Sequence, residues 1–280
     1  MSLTYHSLVT LPPRAVLGDG RRIRPIPAWS PVTATLIAGE RDAVLVDAPP
    51  FSARAQEVAD WIVWTGKNLV AMYATHGGGD RWFGFTEIAR RFPGARPLGT
   101  PGTVRVAEHE AAAGRRDFWD PQFPGQIPPG LRPLEPLGSH GLELEGHRID
   151  VVEAGTTGAR DTTYVHVPDL RLVVGGDVVY NGVHPSLAGT DRASRRNWAE
   201  ALDAIAALGP SAVVAGHKNP RAADHPGAVE ETRAYLRDVE EILATARTPE
   251  DFADQMTLRH LDRVNPDTLW QTAQALVPRR

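Results

Sequence analysis

Short apolar runs alternate with amphipathic helical patterns through the first half of this sequence, and that alternation limits the folds it can adopt. Residues 43–47 and 69–74 have the composition of buried strands. Between them, Ser52 is predicted to cap a helix from Ala53 to Trp64, whose apolar side chains share one face. Strands that alternate with helices indicate an α/β protein.

The same alternation continues to about residue 113. We predict a helix from Trp82 to Arg91, a strand from Arg96 to Gly99 and a helix from Thr103 to Ala113. Residues 114–136 are rich in Pro, Gly and Arg and carry three aromatic side chains. This stretch is interpreted either as a lid over a pocket or as a surface loop pinned by its aromatic residues.

The second half of the chain begins with strand patterns and ends with helical ones. Strands are predicted at 142–144, 148–152, 163–167, 172–174 and 212–215, and helices at 193–208, 227–246, 249–256 and 267–275. Short connections favour antiparallel pairing of the first four strands. Because no repeat or low-complexity linker interrupts the chain, we predict one domain over residues 1–280, with C-terminal helices 228–280 packed on it.

Composition excludes several classes of function. The 280 residues include no cysteine, so any metal must be held by His, Asp or Glu. A net charge of −4 gives no basic field for nucleic acid. No apolar run is long enough to span a membrane, and the first 16 residues lack a secretory pattern. We therefore expect a cytoplasmic protein that acts on a small molecule, as a monomer or a homodimer.

Three predicted strands end in loops that carry polar side chains able to bind a metal or a substrate. His76 to Arg81 follow the strand at 69–74, Asp177 follows the strand at 172–174, and His217 follows the strand at 212–215. Rigid scaffolds commonly present functional groups on such loops. A single polar residue at a strand end is more often a turn or cap residue, so the three loops carry weight only together.

In this order, the loops resemble those of the metallo-β-lactamase superfamily. The resemblance rests on Val46-Asp47, on residues 75–84 (Thr-His-Gly-Gly-Gly-Asp-Arg-Trp-Phe-Gly), on Glu153-Ala154-Gly155-Thr156, on residues 176–180 and on Gly216-His217. It covers roughly residues 30 to 220. It implies a four-layer αββα sandwich of two mixed β-sheets, with a metal-dependent hydrolase site at one edge.

The resemblance also implies which metal ligands are missing. In the family, the first loop reads His-x-His-x-Asp-His, and the family's pattern is matched here by His76, Asp80, Asp177 and His217. Gly78, Arg81 and Thr156 stand at three histidine positions. Glycine has no donor and arginine cannot ligate a cation. We therefore expect no full di-zinc centre, and either no cofactor or a single weakly bound zinc at the residual positions.

Arg81 occupies the first turn of a predicted helix, which leaves two directions open for its side chain. It either turns inward, where its guanidinium supplies positive charge beside Asp80 and Asp177, or points outward to solvent.

The resulting functional prediction is an enzyme that acts on an ester, lactone, thioester or related carbonyl compound. His76, His217 or His184 would be the general acid or base, oriented by Asp80 and Asp177. Arg81 and glycine N–H groups would bind an anionic or carbonyl oxygen. Residues predicted to line the substrate pocket are Trp82, Tyr180, Asn181 and Thr156, although Tyr180, Asn181 and His184 fit a hydrogen-bonded loop equally well. The alternatives are an inactive ligand-binding protein and a weak hydrolase with one metal.

Overall fold

Two β-sheets face each other in the computed structural model, which describes residues 2–13, 29–138 and 141–277. The first sheet has the strand order β1 to β6: Thr4–Thr10, Val32–Ala38, Asp42–Val46, Asn68–Tyr73, Arg96–Gly99 and Glu135–Pro136. The pairs β1/β2 and β2/β3 are antiparallel, and the remaining pairs are parallel. This sheet is therefore mixed.

The second sheet has the order β12-β10-β9-β8-β7. Its strands are β7 (Leu142–Leu144), β8 (His147–Gly155), β9 (Thr162–Val167), β10 (Leu172–Val174) and β12 (Ala212–Val214). Pairing from β7 to β10 is antiparallel, as predicted, whereas β10 and β12 are parallel. A short separate pair joins β11 (Tyr180–Asn181) to β13 (His217–Lys218).

Helices cover the outer face of each sheet. They are α1 (Ser52–Trp64), α2 (Gly79–Trp82), α3 (Phe85–Arg91), α4 (Pro101–His109), α5 (Asp120–Gln122), α6 (Arg192–Ala207), α7 (Gly227–Leu243), α8 (Pro249–Arg259) and α9 (Pro266–Leu276). A π-helix spans Glu110–Trp119, and 3₁₀ turns span Pro168–Leu170 and Gly176–Val178.

Successive side chains of each buried strand point to opposite faces of its sheet, so they pack in different layers of the molecule. In β3, Val44 and Val46 enter the core between the two sheets, while Leu45 packs under α1 with Val58 and Ile62. In the second sheet, Val173 and Val213 pack instead against α6 to α9. The order helix, sheet, sheet, helix confirms the predicted αββα sandwich. Residues 228–277 pack on the outer face of the second sheet. Residues 278–280 of the predicted C-terminal segment lie outside the described residues.

Several predicted element boundaries are wrong for local reasons. Ser52 lies inside α1 rather than capping it, and the N-cap position is Phe51. The helix predicted from Trp82 to Arg91 is divided at Gly84, where a Cβ atom would lie 2.2 Å from the Pro49 carbonyl oxygen. Within residues 114–136, part of the chain is helical rather than loop, because the π-helix continues directly from α4. Strands β1 and β2 were not predicted.

Candidate functional site

Two of the three predicted loops meet where their backbones pack closely through glycine. The N–H of Gly216 donates to the Gly176 carbonyl at 3.0 Å, and a Cβ atom at Gly216 would lie 2.5 Å from that oxygen. Gly176 itself has a φ of +49°, a conformation that favours glycine. This contact places the residues that follow, Asp177 and His217, side by side.

The four side chains carried over from the family's ligand pattern form one cluster. His76 Nε2 lies 2.9 Å from Asp177 Oδ2. His217 Nε2 lies 3.4 Å from Asp80 Oδ2 and 3.5 Å from Asp177 Oδ1. None of the four residues is more than 9% exposed. Two imidazoles and two carboxylates thus converge in a site with little access to water.

Hydrogen bonds fix the proton positions of the two imidazoles. His76 Nδ1 accepts a hydrogen bond from the Gly78 N–H at 2.8 Å, so a neutral His76 carries its proton on Nε2 and donates it to Asp177. His217 Nδ1 lies 2.7 Å from the Pro31 carbonyl oxygen, which can only accept. A neutral His217 therefore carries its proton on Nδ1, and its Nε2 lone pair faces Asp80 and Asp177.

Arg81 turns inward and is fully buried. Its Nη2 donates to Asp177 Oδ1, its Nη1 donates to the Gly216 carbonyl at 3.0 Å, and Nη1 also lies 3.7 Å from Asp47 Oδ2. Burial on its own would raise the pKa of Asp177, but Arg81 and the two histidines hold that pKa far below its usual range. Arg81 thus supplies the positive charge that the carboxylates face.

Arg81 contacts protein groups with both of its terminal nitrogens. The guanidinium has no exposed surface and donates to Asp177 and Gly216, whereas its Nε has no hydrogen-bond partner among the described residues, and a contact with a substrate oxygen stays a prediction. The Gly78 N–H is also occupied, since it donates to His76. Arg81 is therefore a residue that positions Asp177.

Asp47 is the partner of Arg81 whose role was not predicted. It directly follows β3, has a φ of +60° and accepts hydrogen bonds from the N–H and the hydroxyl of Thr75, both at 2.8 Å. Burial raises the pKa of Asp47 to about 6, while Arg81 and the Thr75 hydrogen bonds oppose that rise. The sequence signal was an acidic residue directly after an apolar strand.

The pKa of His76 shifts in the opposite sense from what burial alone would give. Burial lowers the pKa of an imidazole, but Asp177, through its charge and its hydrogen bond, outweighs burial and raises the pKa of His76. Asp177 thus stabilises a proton on the Nε2 that faces it, while Nδ1 stays the acceptor of the Gly78 N–H.

His184 belongs to a different cluster from His76 and His217. Its Nδ1 lies 2.9 Å from the Tyr235 hydroxyl, and the Arg263 guanidinium lies 4.6 Å above the Tyr235 ring. Burial, Arg263 and His260 lower the pKa of His184 to about 3, which keeps the ring neutral. The loop from β11 is thus anchored on α7.

The residues predicted to line the substrate pocket have different environments. Trp82 is buried in the core beneath the first sheet and donates from Nε1 to the Gly77 carbonyl at 3.0 Å. Asn181 donates to the Ala223 carbonyl, and Thr156 is exposed, with its carbonyl accepting from Asn197. Tyr180 is buried, with its ring centre 5.4 Å from that of His217. Tyr180 therefore packs directly against a residue of the cluster.

The donor set does not fit two metal ions. Gly78 offers no donor, and a Cβ atom there would lie 2.3 Å from His76 Cε1, so a side chain at this position requires His76 to move. Thr156 is exposed and is a neutral side chain. In the ligand pattern implied by the family resemblance, these two residues stand at the same metal position.

A single metal ion fits the four clustered side chains better than two ions do. Among the described residues, His76, Asp80 and Asp177 offer ligand atoms within 4.8 Å of one another. The His76 proton on Nε2 argues against that residue as a ligand, whereas His217 presents a lone pair. Its distances of 3.4 and 3.5 Å to the carboxylates match the spacing of about 3.3–3.4 Å between tetrahedral ligands with zinc bonds of about 2.0–2.1 Å. Arg81 would compete for Asp177.

Comparison with known proteins places the fold. The family described as "Metallo-beta-lactamase superfamily" matches residues 27–217. The DIM-1 metallo-β-lactamase exposed to ceftazidime aligns with a TM-score of 0.60 and 15% identity over 85% of this chain and 97% of that one. The metallo-β-lactamase FIM-1 from Pseudomonas aeruginosa in the mono-zinc form aligns with a TM-score of 0.57 and 15% identity over 84% of this chain and 91% of that one. A metallo-β-lactamase from Hirschia baltica aligns with a TM-score of 0.57 and 19% identity over 84% of this chain and 93% of that one.

No curated protein matches the sequence. Among the helices that the structure describes, none is long and apolar enough to cross a membrane.

Proposed function

Because the chain belongs to the metallo-β-lactamase superfamily, we propose that it is a hydrolase-like enzyme that acts on a small carbonyl compound without a di-zinc centre. The substrate class is an ester, lactone, thioester or related compound. The observation that carries the proposal is the buried cluster of His76, Asp80, Asp177 and His217, with Arg81 donating to Asp177. A resident guanidinium there takes over part of the charge balance that metal ions provide in the family.

His217 is the proposed general base. Nε2 carries no proton in the neutral ring, so it can accept one from a water molecule that attacks the substrate carbonyl. The imidazolium that forms is stabilised by Asp80 and Asp177 on one side and by the Pro31 carbonyl on the other. The same proton then passes to the leaving group.

His76 and Arg81 support this base through Asp177. Both donate to that carboxylate, one to each oxygen, and so fix its position beside His217. An ionised Asp177 is retained because these donors lower its pKa.

A second candidate is a hydrolase with one divalent ion, favoured by the ligand-like spacing of Asp80, Asp177 and His217. Such an ion would supply Lewis acidity toward a carbonyl or a water molecule. His76 and Arg81 would then orient Asp177 from outside the ligand set. Because Arg81 already neutralises Asp177, we expect weak binding of the ion.

Metal analysis of the purified protein distinguishes the two candidates. The experiment measures bound metal and then turnover of an ester, a lactone and a thioester before and after chelation. Less than about 0.1 equivalent of metal with turnover that survives chelation supports the metal-independent enzyme. About one equivalent with turnover lost on chelation supports the one-ion hydrolase, and two equivalents overturn both.

A variant pair tests the assigned base. His217→Gln should lower turnover by about 100-fold or more, in the range that general acid–base groups contribute. His109→Gln, the same change at an exposed histidine, is the matched control and should leave turnover unchanged. Absence of turnover in the wild-type protein, together with a thermal shift on ligand addition, would identify a ligand-binding protein instead.

The proposal extends to the setting of the enzyme. We propose a cytoplasmic protein whose partner is its small-molecule substrate, with a homodimer as the alternative to a monomer. Light scattering across a range of protein concentrations measures the oligomeric state directly.

A further inference from the structure

A groove lies between α6 and α7 in the helical layer outside the second sheet. Its volume is about 380 Å³, within the usual range for small-molecule sites. The side chains that line it come from one face of each helix, and Ala199 and Leu236 contribute its apolar floor. The groove shares no lining residue with the His76 cluster.

The groove carries an excess of positive charge. Five lining residues are arginines and two are glutamates, although the whole chain has a net charge of −4. Both glutamates already have partners. Glu240 accepts from Arg195 Nε at 2.6 Å, and Glu241 lies 2.8 Å from Arg259. Glu240 is thus shared between Arg195 and the more distant Arg192, and Glu241 is held by an arginine outside the groove lining.

Two of the five arginines, Arg192 and Arg196, lack a close acidic partner. The others are paired: besides Arg195, Arg233 pairs with Asp203, and Arg237 lies 2.8 Å from Glu230. Arg192 lies only within 3.9 Å of the Glu240 carboxylate that Arg195 already holds. Arg196 has no ion-pair partner in the described ranges 2–13, 29–138 and 141–277. Because they are four residues apart on α6, Arg192 and Arg196 share one face of the helix.

We propose that this groove binds a small organic anion, a carboxylate or a phosphate attached to a short apolar body. The guanidinium groups of Arg192 and Arg196 bind the anionic group, since their planar donors match carboxylate and phosphate oxygens. Ala199 and Leu236 contact the apolar part, which loses its exposure to water on binding.

α6 separates this site from the proposed catalytic cluster. On another face of the helix, Asn197 Nδ2 donates to the carbonyls of Ala154 and Thr156, and Trp198 Nε1 donates to the Val178 carbonyl at 2.8 Å. Val178 follows Asp177 directly. The groove and the cluster share no residue, and calorimetry measures binding in the groove without any assay of turnover.

Titration calorimetry with hexyl phosphate, hexanoate and hexanol tests the proposal. We expect saturable binding of at least one of the two anions and none of hexanol. Arg192→Gln combined with Arg196→Gln should raise the Kd at least tenfold. Arg90→Gln combined with Arg91→Gln removes the same charge from α3 and should change the Kd by less than twofold. Ala199→Glu, which places a carboxylate on the floor, should also weaken binding at least tenfold.

Three results would overturn the proposal. One is no binding of either anion to the wild-type protein at millimolar concentration. Another is equal binding of hexanol, which would show that the anionic group is not recognised. The third is unchanged anion binding in both the arginine variant and Ala199→Glu, each shown to be folded by circular dichroism, which would place the bound anion elsewhere.

Discussion

At the scale of single residues, Arg81 joins carboxylates from opposite halves of the chain. Asp47 ends a strand of the first sheet, and Asp177 follows a strand of the second, yet both face the same buried guanidinium. A buried carboxylate without a cation is costly. Arg81 therefore affects both the stability of the fold and the geometry of the proposed site.

Replacing Arg81 should show this dependence. Arg81→Met removes the charge while keeping a long side chain, and we expect a loss of about 3–5 kcal/mol in the free energy of unfolding, measured by urea denaturation. Arg91→Met is the control, because Arg91 pairs with Asp60 where both side chains are more than half exposed. It should cost less than about 1 kcal/mol. Equal stability of Arg81→Met and wild type would contradict the assigned role.

Asp47 should make stability depend on pH. The ordinary pKa of an aspartate is about 3.9, and burial raises that of Asp47 to about 6. The folded protein therefore holds this proton more tightly than the unfolded chain does. The stability that Asp47 contributes is present below about pH 4 and is lost as the pH rises through about 6.

Asp47→Asn removes this titration. Between pH 4 and pH 7, the difference in unfolding free energy between variant and wild type should move in favour of the variant by on the order of 2–3 kcal/mol. Asp60→Asn makes the same chemical change at an exposed position and should show little pH dependence relative to wild type. Chemical denaturation at several pH values measures both. A difference for Asp47→Asn that stays constant with pH would be inconsistent with a raised pKa.

At the scale of elements, the π-helix Glu110–Trp119 packs against the loop that carries the site. Trp119 donates from Nε1 to Glu110 at 2.6 Å, and a Cβ atom at Gly79 would lie 2.8 Å from that nitrogen and 2.6 Å from Phe83 Cε2. π-Helical segments are often found at functional sites. Here the segment holds α2, and with it Asp80, against an aromatic cluster.

Gly79→Ala tests that contact. The added methyl group must displace Phe83 or Trp119, so we expect a loss of about 1–3 kcal/mol in unfolding free energy and a changed near-ultraviolet circular dichroism spectrum. Gly94→Ala is the matched control, since a Cβ atom there has no neighbour within 4 Å. It should not destabilise the protein beyond about 0.5 kcal/mol. An unchanged spectrum for Gly79→Ala would mean that the π-helix does not depend on this approach.

At the scale of the whole molecule, the core between the sheets combines both halves of the chain. Ile37 and Val46 from the first sheet belong to one apolar cluster with Val165 and Val174 from the second. We propose on this basis that residues 1–280 form a single cooperative domain. A shared core transmits the loss of any of its side chains to both sheets.

Ile37→Ala tests the cooperativity. Truncating this buried side chain should cost about 2–5 kcal/mol. The free energy that protects the backbone amides of β4 and β9 from hydrogen exchange should fall by the same amount in both strands, because both open with the whole molecule. Leu261→Ala, at a side chain that is largely exposed, should leave exchange unchanged. Loss of protection in β4 alone would indicate two domains.

The sequence by itself determined the layer order, and it predicts the loss of donors from the metal site. Alternating strand and helix patterns are local, so β3, β4, β7 and β10 could be predicted from their own residues. That Gly78 offers no donor and Thr156 only a neutral one follows from side-chain chemistry alone. Strands β1 and β2 and the π-helix were not predicted, since their identity depends on pairing and packing with distant segments.

Only the tertiary structure decided what each polar side chain faces. Arg81 had two available directions, and the carboxylates of Asp47 and Asp177 stabilise the inward one. His184 follows Asp177 by seven residues but is directed to Tyr235 on α7. The tautomer of His217 depends on Pro31, 186 residues earlier. A local pattern fixes the face of an element on which a residue lies, whereas packing of the two sheets selects its neighbours.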